Sequence, residues 1–335
     1  MFKTQKTIDN FFVNPSKSTT NYQIKRYFYL IWENKFTPSV QAYWSDTKPL
    51  KVNFIEQVSC NYIKQGYYFY ICGYFKDYDE KAYNLQSEKI YKNISYLKSH
   101  LQKCIRKKND MLAIPTCYHL LKLDFDELIR RLPIIMLEDT TLHESFTTLI
   151  WLMIANSTKK FKMKVYIYEW LLGVIYTLCK IDEVTIINSE ISDKLILEQL
   201  NSYNDLEPNI CSLLYSIHLR IAYGGDESDM LMLKSYLNTR KVNTSQVRPI
   251  KITVSDLSID DWDLSAIDYH CNSAFLRHIS KKYDDIEEEE LKKIIWCNSS
   301  SINTRLKQTI YNKDVWNKIK DHVTKTQKYL LTSAY

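Results

Sequence analysis

Apolar side chains recur along most of this chain at steps of three and four, the rhythm of one helix face. Ile90, Ile94, Leu97, Leu101 and Ile105 set the clearest example. They predict a helix over residues 87–108, SEKIYKNISYLKSHLQKCIRKK, opened by Ser87 as its cap. At 100° per residue, Lys89, Lys92, Lys103, Arg106 and Lys107 fall on the opposite side, with little acid to balance them beyond Glu88. Such a stripe is either a solvated face or a face that tracks phosphates.

The following stretch, residues 120–155, predicts two more helices. Asp124 with Glu127, and Thr141 with Glu144, have the spacing of capping boxes. Pro133 predicts a kink or break between them. Further helices are expected at 162–180, 193–203 and 208–223, with Pro208 in a first turn and Gly224-Gly225 at a terminus. A short amphipathic helix follows at 229–241. The acids Glu287 to Glu290 open another, where they suit the macrodipole, and Trp296 and Arg305 lie in a last helical region.

Two segments break this rhythm. Residues 24–36, IKRYFYLIWENKF, and 61–75, NYIKQGYYFYICGYF, cluster Tyr, Phe and Ile. The second reads as strand material, with Gly66 and Gly73 bracketing it. Residues 250–254, IKITV, read as one strand or an extended link. The expected fold is mainly α-helical, a helical bundle or collar-like body with a small β element near residues 50–75 and a disordered N-terminal tail. The expected segments are 1–21, 22–86, 87–245 and 246–335.

Composition agrees with a helical reading. The chain has 335 residues but only 5 glycines, so few positions are built for left-handed turns or backbone-cradled ligands. Hydrophobic residues make up 45% and charged residues 25%, ordinary values for a globular protein. The net charge of +6 is too mild to identify a nucleic-acid binder. Residues 142–155 are too short to span a bilayer, and residues 163–179 carry Lys164 and Glu169. The 8 cysteines show no CxxC pair and follow no secretory leader, which points to reduced thiols.

Candidate chemistry is sparse. Cys117 with His119, and His270 with Cys271, lack zinc-ligand spacing, so no metal is expected. Asp268 lies near His270 and Cys271, but sequence neighbours diverge on a helix or strand, which favours packing over catalysis. No phosphate loop, HExxH, nucleophile elbow or deaminase signature is present, and no cofactor is expected. Clustered aromatics beside Lys25, Arg26, Lys35, Lys48 and Lys51 are either core or a surface for stacking single-stranded bases.

The N-terminus carries the strongest motif. QKTIDNFF places Gln5, Ile8, Phe11 and Phe12 so that one 3₁₀-type turn gathers the three apolar side chains into a plug. Gln5 offers an amide for a pocket rim, and Lys3, Lys6 and Lys17 favour an acidic partner. The polar NPSKSTTN after it cannot pack a core and reads as a tether. This resembles a PCNA-interacting peptide, which implies a PCNA-type sliding clamp as partner. The alternative is a hydrophobic latch folded back on the body.

A fainter resemblance lies in HLQKCIRKKN followed by LIRRLPIIMLED. These are similar to the helical collar of clamp-loader-like AAA+ ATPases of the MgsA and Werner-interacting-protein branch. The chain departs from them in having no GxxxxGK loop. The resemblance implies an assembly domain without ATP hydrolysis.

The leading expectation is a non-enzymatic DNA replication or repair accessory protein, docked on the clamp and contacting DNA or replication proteins through basic helical faces. It would work in a nucleus or a viral replication compartment. Two alternatives stand beside it. One is a clamp-recruited DNA-processing enzyme, with Glu138, Asp139, Asp263 and Asp268 as candidate carboxylates. The other is a structural subunit of a larger assembly.

Overall fold

A computed structural model describes residues 26–33, 40–59, 68–76, 93–185, 206–237, 241–252, 266, 273–299 and 309–333. Among these lie four strands, β1 Arg26–Trp32, β2 Gln41–Ser45, β3 Phe54–Ser59 and β4 Tyr68–Phe75. The helices are α1 Ile94–Arg106, α2 Asp110–Leu123, α3 Phe125–Asp139, α4 Ser145–Ser157 and α5 Val165–Lys180. They continue with α6 Pro208–Ala222, α7 Glu227–Tyr236, α8 Ser273–Ser280, α9 Glu288–Ser299 and α10 Lys313–Ser333. The mainly helical expectation holds, and no helix among the described residues is long and apolar enough to cross a membrane. The chain divides into two compact units, each assembled from pieces separated in sequence.

The first unit takes residues 1–83, 132–170 and 185–249. Its sheet is wider than the expected β element and begins earlier, because the 24–36 run supplies a central strand. The order is β2-β1-β4-β3, with β1 parallel to β4 and the outer pairs antiparallel. RYFYLIW is apolar or aromatic at every position after Arg26, which suits a central strand. Phe28, Leu30 and Trp32 are buried on one face, while Tyr27, Tyr29 and Ile31 point to the other. Gly73 does not bracket a strand but lies inside β4, opposite Leu30. A Cβ there would sit 2.7 Å from the Phe75 ring and 3.2 Å from the Leu30 carbonyl oxygen. A side chain there would displace the Phe75 ring and press on the Leu30 carbonyl, so the close approach of β1 and β4 favours glycine.

Asn53 extends the β3–β4 ladder by one step. Its amide donates to the Phe75 carbonyl at 2.6 Å, and its side-chain oxygen accepts from the Phe75 N–H at 2.9 Å.

Helix α4 covers the face of Phe28 and Leu30. Trp151, fully buried, donates its indole N–H to the carbonyls of both Phe28 and Cys72 at 3.0 Å. Those two oxygens sit on β1 and β4, so one shared donor bridges the parallel seam. Phe54, Phe75 and Phe161 pack around the indole, with ring centroids 5.2 to 5.9 Å away. Trp32 meets Tyr166 and Trp170 of α5. Trp44 meets Tyr215 of α6, and the Trp44 backbone N–H donates to Ser212 Oγ at 3.1 Å.

The cap signals were half right. Asp124 does open α3, its carboxylate accepting from the Glu127 N–H at 3.0 Å. Glu127 does not reach back; it pairs with Lys98 at 2.5 Å in the second unit. Helix α3 continues through Pro133 without a break. Thr141 does not cap α4, because its hydroxyl meets that of Thr185 at 2.6 Å. His143 takes the capping part. Its Nδ1 accepts from the Ser145 N–H at 3.1 Å, so the remaining ring proton sits on Nε2 and is donated to the Ser245 carbonyl at 2.8 Å. A backbone bridge to Asn243 ties the same turn to the 241–249 segment.

The second unit takes residues 84–131, 171–184 and 250–335. Helix α1 begins after Asn93, whose side chain accepts from the Tyr96 N–H at 2.9 Å, and Ser87 lies outside the described residues. Helices α1 and α2 pack together. Helices α8, α9 and α10 enclose a separate core of Phe275, Leu276, Ile279, Leu291, Ile294, Ile295, Ile319 and Val323.

Replacing Trp151 with Phe keeps most of the ring packing and removes only the shared donor. Both carbonyls lie within the β1–β4 ladder, so the loss is that of one shared hydrogen bond, about 0.5–1.5 kcal/mol. Urea unfolding of Trp151→Phe is expected to show a lower midpoint with an unchanged slope. A midpoint equal to that of the parent would show that the seam does not depend on the indole.

Candidate nucleic-acid interface

Gln5, Ile8, Phe11, Phe12, Lys89 and Lys92 lie outside the described residues, as do Asp263, Asp268, His270 and Cys271. The rest of the expected basic stripe is not a solvated face. Lys103 and Arg106 are each 1% exposed, and Lys107 is half-buried. The helical wheel assumed one neighbour for α1. Its last two turns are instead buried nearly all the way round, Gln102 and Cys104 included. None of the three cations is without a partner. Lys103 and Arg106 are enclosed by the fold, while Lys107 keeps part of its surface exposed.

The other sequence candidates are structural in their surroundings. Cys117 is fully buried, and burial together with the nearby Cys179 pushes its thiol far up. His119 is buried beside Tyr118. Asp139 is buried and Glu138 half-buried, both with partners. Among the described residues, no three His, Cys, Asp or Glu side chains gather into a group that would hold a metal ion.

One Cys–His contact was not anticipated. His100 and Cys104 stand four residues apart on α1, with Sγ 3.7 Å from Nδ1. Thr116 Oγ1 donates to the Leu112 carbonyl at 2.6 Å, so it accepts from His100 Nδ1 at 2.8 Å. Both residues have no exposed surface, which makes this a buried network joining α1 to α2.

Exposed positive charge gathers elsewhere, on α8, the turn after it and α10 of the second unit. The ring of His278 lies 5.7 Å from that of His322, and His322 lies 5.7 Å from buried Tyr283. The ammonium groups of Lys282 and Lys318 stand 5.8 Å from the Tyr283 ring. Lys318 also pairs with Asp285 at 2.7 Å, an exposed pair that contributes little to stability. His322 Nδ1 is buried and makes no hydrogen bond among the described residues. Burial lowers the His322 pKa, and Lys282, His278 and Lys325 lower it further. His278, Lys282, Lys318 and Lys325 are all exposed. The i, i+4, i+7 positions Lys318, His322 and Lys325 form one stripe of α10. This arrangement suits anionic oxygens, because an incoming phosphate relieves repulsion among like charges. Sequence patterning missed it, since the cations sit on two helices and a turn and are interspersed with acids.

No family model, no curated protein and no solved structure matches this chain.

Two histidines of the first unit make stability depend on pH. Burial lowers His143 and lowers His218 to about 4. A histidine is near 6.5 when unfolded, so the unfolded chain binds these protons first. Their contribution is whole above about pH 6.5 and declines as pH falls towards the folded values. The melting temperature of the parent is expected to drop over that window, and His218→Gln to flatten the decline. An equal slope in the variant would remove His218 from the account.

Proposed function

We propose that this protein is a DNA replication or repair accessory factor that docks on a PCNA-type sliding clamp through Gln5, Ile8, Phe11 and Phe12. The observation that carries the reading is the QKTIDNFF motif followed by the polar NPSKSTTN. Two adjacent phenylalanines, an aliphatic residue one turn earlier and a leading glutamine make a compact apolar anchor with one polar handle. Such anchors concentrate binding energy in few side chains. The exposed cations of α8 and α10 support contact with DNA and take the part first expected of the α1 stripe.

Isothermal calorimetry of the full chain against the clamp tests docking. A dissociation constant on the order of micromolar is expected, weakened by about tenfold or more in the Phe11→Ala, Phe12→Ala variant. No binding, or equal binding by the variant, would remove the clamp from the proposal.

The salt dependence of duplex binding tests the cationic cluster. In Lys282→Glu, Lys325→Glu the slope of log affinity against log salt should shrink by about 1–2. A slope unchanged from the parent would place the phosphate contacts elsewhere.

A further inference from the structure

The sheet's second face differs in kind from the face under α4. It carries Tyr27, Tyr29 and Ile31 from β1, Tyr43 from β2, and Tyr70, Cys72 and Tyr74 from β4. Register aligns Tyr43 with Tyr29 and Cys72, Tyr27 with Tyr70, and Ile31 with Tyr74. Tyr27 and Tyr70 stack at 5.3 Å, and Tyr29 meets Tyr43 edge-on at 5.2 Å. A sheet sealed on both faces would use aliphatic residues on each. Here one face is Phe, Leu, Ile and Trp, and the other is largely phenol, the side chain of half-wet surfaces. Tyr27, Tyr29 and Cys72 are buried at its centre, Tyr43, Tyr70 and Tyr74 around them are half-buried, and towards β3 the face ends in exposed Ile55 and Gln57.

The segment between β2 and β3 adds charge beside these rings. The Tyr29 hydroxyl donates to the Lys51 carbonyl at 2.5 Å, and Val52 packs against the tyrosines. The Lys51 ammonium stands 5.8 Å from the Tyr74 ring centroid. Lys48 is close enough to act on the Cys72 thiol. Lys48 and Lys51 are exposed, and Leu50 between them is fully so. The acids nearby are Glu33, which acts on Tyr29, and Asp46, which pairs with Arg26 at 3.3 Å. Burial and the neighbouring groups hold Tyr29 at about 12, and burial raises Tyr43. The Tyr29 and Tyr43 phenols therefore stay neutral and do not repel phosphates.

We infer that this tyrosine face binds single-stranded DNA, with bases stacked on Tyr43 and Tyr74 and the backbone drawn by Lys48 and Lys51. Single strands unite the two properties the surface matches, flat π faces and a regularly spaced negative charge. Neighbouring strands lie about 4.8 Å apart and same-face residues about 6.6 Å apart along a strand, so rings recur on the scale of a nucleotide. The inference rests on the DNA-contacting half of the proposed function and not on clamp docking.

Fluorescence anisotropy of the full chain with three labelled probes tests it: an oligo-dT strand, an abasic strand of equal length, and a duplex. Oligo-dT is expected to bind more tightly than the abasic strand. Tyr43→Ala, Tyr74→Ala should lose about tenfold or more on oligo-dT and little on the abasic strand, with the salt slope kept. Tyr43→Phe, Tyr74→Phe should retain the parent's preference. Where the alanine variant fails to fold, photocrosslinking of the parent to an iodouracil strand decides, with adducts expected on the peptides of Tyr43 and Tyr74. Equal binding of oligo-dT and abasic strands, or adducts confined to other peptides, would overturn the tyrosine face while leaving DNA contact standing. Absence of binding to all three probes would overturn the DNA-contacting half itself.

Discussion

The first unit depends on how β1 is held to β4. Antiparallel neighbours can be joined by a tight turn, but parallel neighbours cannot. The sheet is two antiparallel pairs meeting at one parallel seam, and nothing local in the chain enforces that meeting. Trp151 bridges it from above, with one N–H shared between Phe28 and Cys72 carbonyls. Gly73 permits it from within, because any side chain there would press on Phe75 and on the Leu30 carbonyl. Once the seam is set, alternation sorts every residue of β1 and β4 to a face. The aromatic cage of Phe54, Phe75 and Phe161 then has a fixed centre to pack against.

That sorting also decides where chemistry can occur. The α4 side is dry and filled by Trp, Phe, Leu and Ile. The opposite side places phenols in register and borders them with lysines on the 46–53 segment. Its character follows from period-two patterning in RYFYLIW and YFYICGYF, so it was written in the sequence. It could not be recognised there as a face, because pairing had to bring the two runs side by side. The same two tyrosine-rich runs looked alike as core or as surface until register put Tyr43 beside Tyr29 and Ile31 beside Tyr74.

Local signals were legible where one residue acts on its own backbone. Asp124 caps α3, Pro208 opens α6, and the alternation of three and four found most helices. Signals that assume a single neighbour failed. A helical wheel has two sides and makes the α1 stripe an exposed face, solvated or phosphate-tracking, yet Lys103 and Arg106 are enclosed. Of the kink or break that Pro133 predicts, the break does not occur, and α3 runs through it with Leu132 and Ile134 fully buried on either side. His143 escaped notice because its capping role depends on Ser245, far along the chain. The cluster on α8 and α10 escaped for the same reason, since His278 and His322 meet only after folding.

The two candidate DNA surfaces differ in what they would sense. Cations grouped around His322 attract any phosphate, and that attraction weakens steeply with salt. Rings on a sheet respond to bare bases, while Lys48 and Lys51 beside them give that surface a salt dependence of its own. Neither surface needs high affinity if the N-terminal peptide docks on a clamp already threaded on DNA. A tethered second contact is governed by effective concentration, so two weak contacts can act together where one would fail. On that reasoning the mild net charge of +6 fits the proposed function. A strongly basic body would bind DNA everywhere, whereas a weakly basic body with stacking rings would hold it where the clamp has brought it and single strands are exposed.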